Sequence, residues 1–187
     1  MASDITDTTK EQIRRYLIQS AEQNLTLPES IALLRNAGIT DYRAELIART
    51  ETGRAANIGS MVGATSTGLV TIKEWIAAKD NRTRRIPRDQ FDHLNMDGTK
   101  IPMDATFKLQ NKKGGFDLML HPCDSSGSAG DVCNCRCTLG YEAQRDKNGK
   151  LLKLQDNPPK GNVGMIWGIL TNAVGMQIGR LIADLFE

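Results

Sequence analysis

The feature that most constrains this chain is a change of periodicity at Gly68. Before it, apolar residues recur three and four apart, the spacing of one helical face. After it comes Leu69-Val70-Thr71-Ile72-Lys73-Glu74-Trp75-Ile76, a β-branched and aromatic run that predicts a buried strand. Helices first and strands later is the order of an α+β domain, not of alternating βαβ units. The expected fold is a set of N-terminal helices packed on a small, mainly antiparallel sheet, followed by a C-terminal apolar helix. In this reading residues 1–156 form the domain, helical over 8–66 and sheet-rich over 69–155. A linker at 157–162 then leads to an apolar docking helix at 163–187.

Local signals place the elements. Thr8-Thr9-Lys10-Glu11 reads as a capping box, whose hydroxyl and carboxylate satisfy orphan backbone donors at a helix start. Ile13, Leu17 and Ala21 continue that helix as a stripe to about Gln23. Thr26-Leu27-Pro28-Glu29 repeats the capping logic, with Pro28 in the first turn where its missing N–H costs nothing. The short helix that follows carries Ile31 and Leu34 and stops at Gly38. A third, longer helix begins near Asp41, with Leu46, Ile47, Ile58, Met61 and Val62 as its core face and Glu45 paired to Arg49. Gly53, Gly59 and Gly63 weaken it by propensity, unless they permit close packing against another element. Further on, Asp97-Gly98 predicts a hairpin turn between 91–94 and 101–107. Gly114-Gly115 leads into a short apolar run at 116–120, and 122–131 is a Ser/Gly/Asp loop. Residues 138–141 are expected to pair with 151–154 around Asn148-Gly149.

Composition narrows the function classes. With 40% hydrophobic and 25% charged residues over 187 positions, the chain can bury a domain core and is not a disordered segment. A net charge of +2 excludes a strongly basic nucleic-acid binder and leaves room only for a local basic patch. Residues 1–9 contain no apolar signal core, so a reducing compartment is expected and the four cysteines read as thiols or metal ligands before disulfides.

The cysteines are the sharpest chemical feature. Cys133, Cys135 and Cys137 alternate, so on an extended segment all three thiols point to one side. Zn²⁺ takes four soft or borderline ligands in a tetrahedron, and Cys123, His93 and His121 are the candidates to complete such a set. Free, partly buried thiols or a disulfide are the alternatives. Arg82, Arg84, Arg85 and Arg88 crowd one short stretch, either as a cationic patch for DNA phosphate or an acidic partner, or as a solvated loop paired to neighbouring aspartates. Arg49 and Glu51 invite a transferase reading. Two positions apart on a helix, however, they point about 200° from one another and cannot act together. No catalytic residue is assigned. In the C-terminal segment, Gly164, Ile166, Trp167, Leu170, Val174, Ile178 and Leu181 mark a face for docking on a partner or a sister copy. It falls short of the roughly 20 apolar residues of a membrane span before Arg180 and Asp184 interrupt.

Four stretches stand in a fixed order: Arg43-Ala44-Glu45-Leu46-Ile47-Ala48-Arg49-Thr50-Glu51; Trp75 followed by Asp80-Asn81-Arg82-Thr83-Arg84; His93-Leu94-Asn95-Met96-Asp97-Gly98; and 122–124 leading to Asn134-Cys135-Arg136-Cys137. Together they resemble the phage Mu F-like family of minor head proteins, over about 6–139. In the family pattern the histidine stands nearer the Arg-Thr-Arg. Here Pro87 takes that place and His93 follows, and Cys123 and Cys133 are additions to the paired cysteines. The resemblance implies a low-copy, non-enzymatic virion protein of the head interior, made in the host cytoplasm and bound near the portal in head morphogenesis and DNA packaging. Its implied partners are the portal protein, the major capsid protein and packaged DNA; a second copy bound through the C-terminal helix is expected from the pattern of 163–187 alone, which lies beyond the resemblance. Two rival readings are a phage-delivered enzyme, ADP-ribosyltransferase-like or nuclease-like, and a zinc-stabilised nucleic-acid-binding module.

Overall fold

The computed structural model describes residues 7–154. The linker and apolar helix expected at 157–187 lie outside the described residues, as do the side chains of Thr8 and Thr9 in the first capping box. The chain divides into two compact units between Thr52 and Gly53.

The first unit holds α1 (Asp7–Glu22), α2 (Leu27–Asn36) and the opening turns of α3 (Asp41–Ser66). At the start of α2 the Glu29 carboxylate accepts from the Thr26 backbone N–H at 2.7 Å and from its hydroxyl at 2.6 Å. Those bonds hold the Glu29 carboxyl below its usual range. Gly38, at φ +83°, ends the helix, and its N–H returns to the Arg35 carbonyl. Only a residue free to enter the left-handed region closes a helix this way without strain. The core here is Leu34, Ala44 and Ala48, ringed by Tyr16, Leu27, Ile31, Ile39 and Ile47. Two details differ from the periodic reading. Ala21 is exposed while Tyr16 packs inward, and α3 buries Ala44 and Ala48 more deeply than Leu46 or Ile47. Methyl side chains let helix backbones approach, so the smallest residues sit deepest.

The second unit continues α3 and adds β1 (Thr71–Ile76), β2 (Lys100–Pro102), β3 (Phe107–Gln110), β4 (Phe116–Met119), the one-turn α4 (Ala129–Val132) and β5 (Thr138–Ala143). The architecture is α+β and every strand pair is antiparallel, but the described strands form two sheets rather than one: β2-β1-β5 and the hairpin β3-β4. In β1, Lys73 and Trp75 turn to the core, opposite Tyr141 and Leu139 of β5. In β3, Phe107 and Leu109 do the same, as the period of two requires. Trp75 meets Phe107 edge-on at 5.2 Å between ring centroids, and Met61, Met119, Val132 and Leu139 close the core around them. Lys73 is the unexpected member. Its Nζ donates to the Leu120 carbonyl at 2.9 Å and lies 5.5 Å from the centre of the Phe107 ring. Burial brings its pKa down to about 8, against the pull of Asp104 and Asp124.

Three local expectations change. Asp97-Gly98 does turn, with Gly98 at φ +77°, but it joins no hairpin between 91–94 and 101–107. The Asp97 carboxylate instead accepts from the Ala77 N–H at 3.0 Å and pairs with Lys79 at 2.7 Å, while the Gly98 N–H donates to the Trp75 carbonyl. The turn thus hands the chain back to β1, where β2 then pairs. The second change concerns 138–141, which pair with β1 and not with 151–154. The reversal at Gly149 (φ +80°) returns the chain only far enough to bridge Leu151 to Arg145 and Lys153 to Leu69. Third, the loop at 122–131 ends in α4, whose one turn is short enough to escape a periodicity reading.

Candidate metal centre

Three stretches of the second unit meet at Cys135, beside His93. The first is the irregular segment of His93, held by the Leu94 N–H on the Arg84 carbonyl. The second is the loop after β4, which carries Cys123. The third runs from α4 into β5 and carries Cys135 and Cys137. The imidazole is 1% exposed and meets Trp75 edge-on at 5.5 Å. Its Nε2 is bonded to the carboxylate of Asp131 on α4, itself fully buried. A carboxylate accepts, so Nε2 is the donor of this pair, and Nδ1 is the nitrogen turned to the cysteines. Nδ1 stands 3.4 Å from the Cys135 sulfur and 3.5 Å from the Cys137 sulfur. The three ligand atoms lie within 4.8 Å of one another.

Cys123 approaches from the Cys135 side, its sulfur 3.8 Å from the Cys135 carbonyl. Its φ of +66° is uncommon for a residue with a side chain, and such backbone is found where surrounding structure enforces it. The enforcing groups sit on α3. Arg54 donates to the Cys123 carbonyl at 2.9 Å, and the buried Asn57 amide donates to the Pro122 carbonyl at 3.2 Å. The Asn57 carbonyl oxygen accepts from the Thr138 hydroxyl at 3.4 Å, so one side chain spans the residues flanking Cys123 and Cys137. Gly53 explains how the thiol fits: a β-carbon there would stand 3.1 Å from the Cys123 sulfur. Of the three glycines of α3, only Gly53 meets such a neighbour. Gly59 and Gly63 face open space among the described residues. Arg54 and Asn57 escaped the sequence reading, although a polar Asn57 one helical turn before Met61, and next to apolar Ile58, was the available signal.

The cluster shifts its own protonation. Neighbouring Cys123 and Cys137 thiols, and then His93, draw the Cys135 thiol well below its usual pKa against the effect of burial. Beside it, Cys123 and Cys137 are pushed up, first by Cys135 and then by burial. Burial pulls His93 down, but its bonds to Asp131 and Cys135 outweigh that and leave it raised. Burial raises Asp131, with His93 opposing. The arrangement is one imidazole nitrogen and two sulfurs gathered in a buried core, with the Cys123 sulfur beside Cys135.

The other two candidate ligands stand apart. Cys133 caps α4, and the following Asn134, at φ +59°, breaks the extended run that would have aligned three alternating thiols. Its carbonyl accepts from Arg84. His121 is buried, but its Nδ1 donates to the Pro122 carbonyl at 2.9 Å and burial lowers its pKa. All four cysteines are free thiols.

The arginine cluster divides. Arg84 reaches inward to Cys133, and Arg88 holds Asp89 together with the carbonyls of Asn81 and Thr83. Arg82 and Arg85 are exposed, and their backbone N–H groups are fixed by Asp80 and Asp89. Arg49 pairs with Glu45 at 2.9 Å, the i,i+4 partner its spacing predicts. No helix among the described residues is long and apolar enough to cross a membrane.

The chain is 36% identical over 102 residues to the minor head protein GP7 of Bacillus phage SPP1. That match spans 53% of this chain and 29% of the relative's length. No solved structure matches. Residues 11–140, which include α2, α3, β1 to β4, the start of β5, His93 and the cysteines Cys123, Cys135 and Cys137, match the family described as Phage Mu protein F like protein, and the chain belongs to that family.

Proposed function

We propose that this chain is a minor structural component of a tailed-phage head. It binds at the capsid interior near the portal and acts in head morphogenesis and DNA packaging through protein–protein contacts. The observation that carries this reading is the family match over 11–140, together with a relative that is itself a minor head protein. The portal protein and the major capsid protein are the partners, with assembly in the host cytoplasm and residence in the virion afterwards. A non-enzymatic role agrees with the occupied state of Arg49, whose guanidinium is engaged by Glu45. Packaged DNA is a secondary contact through Arg82 and Arg85, the outward members of the arginine cluster. Attachment is assigned to the apolar residues of 163–187, including Gly164, Ile166, Trp167, Leu170, Val174, Ile178 and Leu181, which also serve self-association. The His/Cys cluster holds Zn²⁺ as a structural ion in this reading, because an aromatic-poor unit gains folding free energy from a metal.

The test is co-sedimentation of the full chain with portal and capsid protein, repeated with the chain ended at residue 162. Capture by one of them that is lost on truncation, with the far-UV signal of 7–154 retained, is the expected result. Failure of the full chain to associate with either protein overturns the proposal.

A further inference from the structure

We infer that His93 Nδ1, Cys135, Cys137 and Cys123 form a closed four-ligand site for one Zn²⁺, with Asp131 orienting the histidine from behind. The inference rests on the structural-zinc reading above and adds the ligand set, the outer partner and the elements that the ion joins.

Geometry carries the first three ligands. Zinc binds thiolate sulfur at about 2.3 Å and imidazole nitrogen at about 2.0–2.1 Å, so the edge between them in a tetrahedron is roughly 3.5 Å. His93 Nδ1 already stands 3.4 and 3.5 Å from the sulfurs of Cys135 and Cys137. Thiol–imidazole hydrogen bonds have the same length, so what points to an ion is that two sulfurs share the one nitrogen inside a buried cluster. Cys123 stands outside the group of ligand atoms within 4.8 Å and approaches it from the Cys135 side as the fourth ligand. Its left-handed backbone, the missing side chain at Gly53, and Arg54 and Asn57 on the adjoining carbonyls all serve to bring that one sulfur in. With four protein ligands the ion has no open position, which is the mark of a structural and not a catalytic zinc site.

Asp131 supplies independent support. A histidine that ligates metal generally gives its other N–H to a carboxylate or carbonyl, which fixes the tautomer and the ring plane. Here that acceptor is a fully buried carboxylate, a group costly to bury unless it does such work. Its second oxygen, Oδ2, has no hydrogen-bond partner among the described residues. The Asp131–His93 contact is therefore the reason for the carboxylate's burial. The ion would then join the flank of β1, the end of the β3-β4 hairpin and the entry to β5, tying the two sheets through a core that contains only small strands.

The experiment is metal analysis of the purified full chain in reducing buffer, with Co²⁺ exchanged for Zn²⁺ as a spectroscopic reporter. One zinc per chain is expected, and the cobalt form should show the intense visible bands and thiolate charge-transfer absorption of a tetrahedral, sulfur-rich site. Cys133→Ser and His121→Gln should retain the full stoichiometry, while Cys135→Ser and Cys137→Ser lose it. Cys123→Ser should lose the metal or bind Co²⁺ with fewer thiolates. Asp131→Asn keeps all four ligands and should weaken affinity roughly 10–100-fold. Should ligand variants fail to fold, chelation and Co²⁺ titration of the wild-type chain beside Cys133→Ser still report ligand number. A wild-type chain without metal overturns both this inference and the zinc reading. Zinc that is released as fully by Cys133→Ser as by Cys123→Ser, or held unchanged in Asp131→Asn, overturns this inference alone.

Discussion

Replacing the three glycines of α3 one at a time by alanine separates helix propensity from close packing. In a helix interior glycine is worth roughly 0.8–1.0 kcal/mol less than alanine, so each change carries a similar intrinsic gain. At Gly59 and Gly63 a β-carbon meets nothing within 4 Å among the described residues, so that gain should appear almost undiminished. At Gly53 the same atom lands 3.1 Å from the Cys123 sulfur and 3.9 Å from the Cys135 carbonyl. The sulfur would have to retreat by several tenths of an ångström. Its residue is fully buried, sits at φ +66°, and has its carbonyl held by Arg54. Forcing extra volume into such a site costs about 1–3 kcal/mol, enough to cancel or reverse the propensity gain. Urea denaturation of the three variants beside the parent, at matched m-values, is the measurement. Gly59→Ala and Gly63→Ala should stabilise by roughly 0.5–1 kcal/mol. Gly53→Ala should fall below both by about 1–3 kcal/mol. Added Zn²⁺ should widen that gap, because a ligated sulfur yields less than a free one. Equal stabilisation at Gly53 and Gly59 would refute the claim that Gly53 exists to admit the thiol.

Phe107→Ala removes the ring that packs against Trp75 and should cost about 3–5 kcal/mol in the same assay. Phe116→Ala, at a side chain 50% exposed, should cost far less, and equal losses would contradict the placement of the core. Lys73 gives a pH signature. Its folded pKa of about 8 lies below the roughly 10.4 of an unfolded chain, so between those values the unfolded state binds more protons and stability rises with pH. The advantage of Lys73→Met over the parent should therefore shrink from pH 7 to pH 10 by up to about 3 kcal/mol, and a constant difference across that window would exclude a buried charged lysine. Glu45→Ala breaks a partly exposed ion pair with Arg49 and should change stability by no more than about 0.5 kcal/mol. A loss of several kcal/mol would mean that the pair does more than stabilise one helix face.

What could be read from the chain alone was local. The capping residues Thr26 and Glu29, Gly38 at the end of α2, the start of α3 at Asp41 and the strand before Ile76 all stood where caps and periods placed them. Each depends on hydrogen bonds or side-chain directions within a few residues, and composition and spacing record those directly. The ordered motifs likewise pointed to the family before any fold was known. Strand partners were a different matter. Asp97-Gly98 is a turn by its own chemistry, yet what it joins was decided by Ala77 and Lys79 claiming its carboxylate.

The opening break at Gly68 thus divides helix from strand correctly but says nothing of how the strands sort into two sheets. The site shows the same division most clearly. Alternation at Cys133, Cys135 and Cys137 proposes three aligned thiols, and a single left-handed residue, Asn134, undoes the alignment. The fourth member of the cluster comes from Cys123, twelve residues before Cys135, and the imidazole from forty-two residues before it. Spacing along a chain cannot report such meetings, because they are set by which sheet each loop leaves and by what α3 holds in place. Asp131 behind His93 and Gly53 beneath Cys123 acquire their meaning only when those loops are brought together.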